Sequence, residues 1–132
     1  MAEPKVFISY AHRDSETVGE LSRALKTLNV SAWTDQQIRA GDSWESEIDA
    51  ALTEAKVIIL CISPSFLASD WAQLQIGVAL SRARQSDVRV IPLILNDTEL
   101  PEALKRFQYI DARKLSADQQ AAEIKKVVEA VR

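Results

Sequence analysis

The sequence predicts an α/β domain in which helices cover both faces of a parallel β-sheet. Short β-branched segments alternate along the chain with segments of helical period, a pattern typical of parallel sheets. The six residues from Val57 to Ile62 are all apolar, as expected of a central strand that is buried on both faces. Five strands and about five helices in 132 residues fit the flavodoxin-like strand order 2-1-3-4-5.

Individual elements follow from local patterns. The predicted strands are residues 5–9, 30–33, 56–63 and 88–95, with a weaker one at 108–110. Asp14 or Ser15 can cap the first helix, and Asp42 with Glu45 three residues later resembles a capping box for the second. We expect a third, longer helix over residues 65–85 and an amphipathic helix at the end of the chain.

A ligand site is expected at one particular edge of this sheet. In flavodoxin-like folds, ligands bind outside the carboxyl ends of the strands, at the point where the strand order reverses. Here that point lies between the ends of strands one and three, near residues 9–11 and 63–65.

Length and charge narrow the class of protein. We expect residues 1–132 to form a single domain, which can be the N-terminal part of a longer protein. The net charge of −3 argues against direct binding of nucleic acid or of anionic membranes. Cys61 is the only cysteine and lies in an apolar run, which favours a reducing compartment. No signal peptide or membrane span is apparent, so we expect a cytoplasmic protein.

Several chemistries are excluded by the residues they would require. The three glycines, Gly19, Gly41 and Gly77, do not form a phosphate-cradling loop after a strand, which excludes Walker and Rossmann nucleotide sites. A phosphate-accepting receiver would need clustered carboxylates after the first strand, where Asp14 stands alone. The single histidine, His12, excludes a multi-histidine metal site and is expected to be a solvated loop residue. We therefore predict no metal.

Three segments in order resemble the motifs of Toll/interleukin-1 receptor (TIR) domains. KVFISY followed by HRD, at residues 5–14, resembles the first box of the family. WTDQQIRAGDSW, at residues 33–44, is similar to its second strand and BB loop, which ends in a glycine before a helix. ISPSFLASDW, at residues 62–71, is similar to its third strand and the start of its αC helix. The resemblance covers about residues 5–115 and is closest in character to bacterial NAD-cleaving members.

The resemblance implies one of two activities. Some TIR domains only self-assemble as adaptors, whereas others cleave the nicotinamide–ribose bond of NAD, which is then a substrate with no further cofactor. The enzymes carry a glutamate on αC, four residues after a tryptophan. A fixed carboxylate there would stabilise the positive charge that develops on the ribose. In this chain the residue four positions after Trp71 is Gln75, an amide of the same shape without the charge.

Two explanations for Gln75 are open. The amide either replaces a natural glutamate, as the minimal isosteric change that silences a toxic NAD-consuming enzyme, or is the natural residue of a non-enzymatic member. We favour the first because the rest of the motif is intact. Under either explanation, this chain is expected to be inactive.

The resemblance also assigns site residues, all near the same sheet edge. Besides Gln75 at the catalytic position, the expected substrate-binding residues are Ser9, Tyr10, Ala11, Asp35, Arg39, Trp44, Ser63 and Trp71. The expected self-association segment is the BB loop, with Ile38, Arg39, Ala40 and Gly41. Simpler structural roles are open for most of them, because tryptophans commonly anchor helices in the core and serines commonly end strands.

The resulting hypothesis is a TIR domain of the NAD-cleaving class that acts in bacterial immunity or signalling. Its expected partners are NAD, other TIR domains and a sensor domain in a longer parent protein. The alternative is a non-catalytic scaffold that signals by TIR–TIR self-association or interferes with a host's TIR signalling.

Overall fold

The described part of the chain contains a five-stranded parallel sheet. The computed structural model describes residues 5–34, 40–41, 43–85 and 88–131, apart from the side chains of Trp44, Glu45 and Trp71. The strands are β1 (Val6–Ser9), β2 (Ala32–Trp33), β3 (Val57–Ile62), β4 (Arg89–Ile94) and β5 (Ile110–Asp111). Their order is β2-β1-β3-β4-β5 and every pairing is parallel, which confirms the predicted fold class and strand order.

Helices cover the two faces of this sheet. They are α1 (Ser15–Thr27), α2 (Trp44–Glu54), α3 (Pro64–Leu67), α4 (Asp70–Gln85) and α5 (Ala117–Ala130). The helices α1 and α5 share one apolar core with the sheet, and α2 and α4 share the other. None of the described helices combines the length and the apolar character needed to cross a membrane.

The strand β3 separates the two cores. All six of its residues have 0% exposure, and it pairs with β1 on one side and β4 on the other. On the α1/α5 side the strand packs with Val57, Ile59 and Cys61. On the α2/α4 side it packs with Ile58, Leu60 and Ile62. Burial raises the pKa of the Cys61 thiol, and the nearby Asp14 carboxylate raises it further. Cys61 is therefore a core residue, as predicted.

The predicted third helix is in fact two helices. It divides into α3, which ends at Leu67, and α4, which begins at Asp70. Each part has its own N-terminal serine: the Ser63 hydroxyl accepts from the Phe66 amide at 3.1 Å, and the Ser69 hydroxyl accepts from the Ala72 amide at 3.4 Å. The backbone amides in the first turn of a helix have no partner within the helix. Each serine accepts a hydrogen bond from one of these amides, which stabilises a helix that begins just after it.

The predicted caps of the first two helices also differ. Asp14 occupies the N-cap position of α1, but its side chain makes no capping hydrogen bond there. Its carboxylate instead accepts a hydrogen bond from the Ser63 hydroxyl. The N-cap residue of α2 is Ser43, and Asp42 lies outside the described residues. The Asp14 side chain therefore binds Ser63, which is distant in the sequence, instead of capping α1.

Arg82 ties α2 to α4. Its guanidinium Nη1 donates to the backbone carbonyl of Leu52 and, at 3.0 Å, to that of Ala55. These carbonyls lie at the C-terminal end of α2, where backbone oxygens have no partner within the helix and the helix dipole favours a cation.

We predict that Arg82→Met lowers the free energy of unfolding by about 1.5–3 kcal/mol, because hydrogen bonds from a charged donor are lost while the carbonyls stay partly buried. Urea denaturation monitored by circular dichroism measures this change. Arg84→Met is the matched control, since Arg84 is exposed on the same helix and should change the value by less than about 0.5 kcal/mol. Equal effects of both substitutions would contradict the role of Arg82.

Candidate functional site

A cleft of about 470 Å³ lies at the carboxyl edge of the sheet, where the strand order reverses. Its walls come from the end of β1 and the following loop, from the segment after β3, and from α2, α4 and the end of β2. The lining residues are Phe7, Ile8, Ser9, Tyr10, Ala11, His12, Arg13, Trp33, Ile48, Ser65, Phe66, Ser69, Ala72 and Gln75. A volume of this size is in the range of small-molecule sites.

Three buried side-chain oxygens have no hydrogen-bond partner among the described residues; two of them, on Ser9 and Gln75, lie in this cleft, and the third is on Ser22 of α1. Gln75 is 5% exposed and Ser9 is 2% exposed. The Gln75 Oε1 and Ser9 Oγ atoms have no hydrogen-bond partner among the described residues. An unsatisfied buried polar group typically costs about 1–3 kcal/mol, so native proteins rarely retain one without a reason. A polar ligand in the cleft would supply the missing partners.

The helix α4 directs Gln75 inward. Its buried face consists of Ala72, Gln75, Ile76 and Ala79, at the spacing of one helical stripe. The opposite face carries Leu74, which is 63% exposed, and Val78, which is 41% exposed. Gln75 is thus a polar residue on the apolar face of its helix.

An aromatic pair forms one wall of the cleft. The rings of Phe7 and Trp33 stack with centroids 5.3 Å apart and an interplanar angle of 12°. They are direct neighbours in the β1–β2 register, which places both side chains on the same face of the sheet. Flat aromatic surfaces of this kind suit ligands with planar rings.

A short helical turn at His12–Asp14 brings two basic residues, His12 and Arg13, to the cleft. The Asp14 amide donates to the Ala11 carbonyl at 2.8 Å. The Ser63 hydroxyl donates to the Asp14 carboxylate at 2.6 Å while accepting from the Phe66 amide. Ser63 therefore joins the loop after β1 to the segment after β3.

The structure brings part of the predicted site together. Ser9, Tyr10, Ala11 and Gln75 line the cleft. Ser63 does not line it: this residue is 1% exposed and holds the adjoining loop. The roles of these residues toward a ligand stay predictions.

The remaining predicted residues either lie outside the described residues or are not among those that line the cleft. Asp35, Ile38 and Arg39 lie outside the described residues, as do the side chains of Trp44 and Trp71. Ala40 and Gly41 are exposed and are not among the lining residues. Gly41 has a φ of 92°, a backbone conformation that favours glycine.

Sequence reasoning missed several lining residues. His12 is exposed in the loop that follows β1, as expected, and it also lines the cleft; Arg13, in the same loop, was not singled out. Phe7 and Trp33 could be paired only from the strand register. Within the described ranges, no group of three or more His, Cys, Asp or Glu side chains could hold a metal ion.

The fold and the position of the cleft define an α/β domain with a ligand site at the switch point of its sheet. The sequence profile of the family described as TIR domain matches residues 6–128. The chain belongs to the TIR domain family.

Relatives and solved structures agree with this membership. The chain is 33% identical over 106 residues to the NAD(+) hydrolase TcpC of Escherichia coli, covering 79% of this chain and 34% of TcpC. It is 29% identical over 125 residues to the 2' cyclic ADP-D-ribose synthase BtTIR of Bacteroides thetaiotaomicron, covering 93% of this chain and 43% of BtTIR. The chain thus spans less than half the length of either relative.

Among solved structures, the TIR domain of the Toll-related receptor TRR-2 from Hydra magnipapillata superposes with a TM-score of 0.76. The match has 20% sequence identity and covers 96% of this chain and 97% of that domain. At this level of identity the likeness concerns the fold.

We predict that Ser63→Ala lowers the free energy of unfolding by about 1–3 kcal/mol, because it removes the α3 cap and leaves the Asp14 carboxylate without its donor. Amide exchange at Tyr10, Ala11 and Arg13 should also accelerate, since their loop loses its tie to α3. Hydrogen–deuterium exchange with urea denaturation measures both effects.

Ser65→Ala is the control for Ser63→Ala, because Ser65 lines the same cleft but makes neither of the two hydrogen bonds. Unchanged exchange in the loop of the Ser63→Ala protein would show that the loop is held by other contacts.

Proposed function

We propose that this chain is a TIR domain of the NAD-cleaving class that binds NAD in the carboxyl-edge cleft and, with Gln75 in place of a carboxylate, cleaves it slowly or not at all. The observation that carries the proposal is the buried Gln75 Oε1, which lines the cleft and has no partner among the described residues. The likeness to the NAD(+) hydrolase TcpC supports NAD as the substrate class, and the likeness to the 2' cyclic ADP-D-ribose synthase BtTIR supports an ADP-ribosyl compound.

The chemistry explains why position 75 is decisive. Breaking the nicotinamide–ribose bond develops positive charge on the ribose, and a fixed anion beside the ribose stabilises that charge. The nicotinamide is already a cationic pyridinium, so it leaves without a general acid. The amide of Gln75 presents an oxygen with only a partial charge. Removing one positioned electrostatic group typically costs a factor of about 10²–10³ in rate.

The cleft offers complementary groups for the rest of the substrate. In the proposed complex, Ser9 Oγ and Gln75 Oε1 hydrogen-bond the ribose hydroxyls, which would satisfy both buried atoms. The Phe7–Trp33 wall contacts a planar base. His12 and Arg13 lie in the same cleft and face the diphosphate, with Arg39 of the BB loop as a further candidate.

We predict that Gln75→Glu creates or restores release of nicotinamide from NAD, because it adds a negative charge without changing side-chain volume. Nicotinamide is quantified by chromatography at equal protein concentration, with the domain concentrated or fused to an oligomerising partner. The same assay reports whether the product is ADP-ribose or a cyclic form.

Gln85→Glu is the matched control, because this substitution makes the same change of charge at an exposed position of the same helix. It should leave the rate at the level of the unsubstituted chain. If the Gln75→Glu protein is folded and binds NAD, and yet stays inert under all these conditions, the catalytic proposal fails.

A second candidate function is a non-catalytic scaffold that acts through TIR–TIR self-association. It is favoured by the neutral Gln75 and by Leu74 and Val78, two large apolar side chains exposed on one face of α4. Exposed apolar groups at i, i+4 suit contact with a second helix or domain. In either function, self-association would involve the BB loop, and a separate sensor domain in bacterial immunity or signalling would provide the trigger.

We predict that the domain self-associates weakly and that Leu74→Glu with Val78→Glu shifts it to the monomer, because charges at these positions oppose apolar contact. Sedimentation velocity over a range of protein concentrations measures the shift. Tyr109→Glu is the control, since Tyr109 is an exposed large side chain away from α4, at 53% exposure. An equal loss in both proteins would indicate nonspecific association.

A further inference from the structure

A second groove lies at the opposite edge of the sheet and carries three arginines. It has a volume of about 730 Å³ and lies beside the start of β4 and the segment before β5. Arg84 comes from the last turn of α4, Arg89 is the first residue of β4, and Arg106 precedes β5. We refer to the site defined by these three residues as the arginine groove. It shares no lining residue with the carboxyl-edge cleft.

The three guanidinium groups are not neutralised by the described protein. Arg84, Arg89 and Arg106 are all exposed, and none of them forms an ion pair with a described carboxylate. The described residues that line the groove include no acidic side chain. Elsewhere among the described residues, some surface cations pair with carboxylates, as Lys5 does with Glu54, whereas others, such as Arg23 and Lys26, do not. The groove is distinguished by the three exposed arginines that share one lining.

The neighbouring groups help to orient these charges. The Arg106 guanidinium carbon lies 4.7 Å from the ring centroid of Phe107, a cation–π contact that restricts its side chain. Gln108 follows on the same segment and is exposed, so it offers an additional amide donor. The floor is formed by buried aliphatic residues of β4, which keep the groove in a fixed shape.

The three arginine charges outweigh the partial negative charge of the nearby helix end, so they set the sign of the electrostatic potential in the groove. The helix α4 ends at Gln85, beside the groove, and a helix C-terminus carries only about half a negative charge. Arg84 alone exceeds that partial charge, and Arg89 and Arg106 are then in excess. Among the described residues, the groove therefore carries net positive charge and favours anions; Asp87, two positions before Arg89 in the sequence, lies outside them.

We propose that the arginine groove binds a soluble ligand that carries two or more phosphate groups, such as a nucleoside diphosphate or triphosphate. The planar guanidinium fork pairs with phosphate oxygens in a bidentate manner, and three forks match a chain of phosphates better than a single carboxylate. The groove volume is that of a small-molecule site. A long nucleic acid would also meet the negative charge of the rest of the chain.

The test uses inorganic tripolyphosphate as the first probe and calorimetric titration as the measurement. Arg89→Gln with Arg106→Gln should weaken binding by about tenfold or more, because each lost charge-assisted hydrogen bond reduces affinity substantially. Arg23→Gln with Lys26→Gln is the control: it removes the same charge from an exposed face of α1 and should change binding by less than about twofold. Arg84→Gln provides an independent variant if the double substitution alters the fold.

Chemical-shift mapping locates the probe, and a comparison of ADP with adenosine isolates the phosphates. Shifts at Val88–Ile91 and Arg106–Gln108, with ADP bound and adenosine not, support the proposal. Equal weakening in the α1 control, or shifts confined to Ser9–Arg13, would overturn it. Tighter binding of a single-stranded RNA oligomer, or equal binding of an oligoglutamate peptide, would assign the groove to a macromolecule instead. These experiments measure binding in the arginine groove, so their outcome does not depend on the function proposed for the carboxyl-edge cleft.

Discussion

Burial of β3 on every side is the constraint on which the rest of the domain depends. Its six residues are fully covered, because β1 and β4 pair with its edges and a helical layer packs on each face. A strand in this position has no room for polar side chains, so functional groups can appear only beyond its end. Ser63 is the first residue after β3, and its hydroxyl holds the loop that adjoins the cleft.

The cleft departs from the rule that buried polar groups are paired. Ser9 and Gln75 each bury an oxygen without a described partner, although Ser63 and Asp14 a short distance away are fully engaged. Polar side chains that are paired within the protein hold the structure, whereas buried polar atoms without a described partner are available to a ligand. At the arginine groove, three exposed arginines likewise form no ion pair with a described carboxylate.

The fold was predictable because its signals are repeated and local. An unbroken apolar run and alternating strand and helix patterns lead to one sheet order, and the spacing from Trp71 to Gln75 leads to the inner face of α4. The break before Asp70 was missed because the apolar period continues across it. The Phe7–Trp33 wall depends on register between strands, which no local pattern contains.

The hydrogen bond from Ser63 to Asp14 joins residues 49 positions apart, so the loop that it holds takes shape only when distant parts of the chain have come together. An unfolded chain has no such cleft and cannot bind a ligand there. Occupancy is therefore linked to folding: a ligand at 100 times its dissociation constant would add about 2.7 kcal/mol to the stability of the native state. In a cell, the level of the small molecule that fills the cleft would also set how long the domain survives proteolysis.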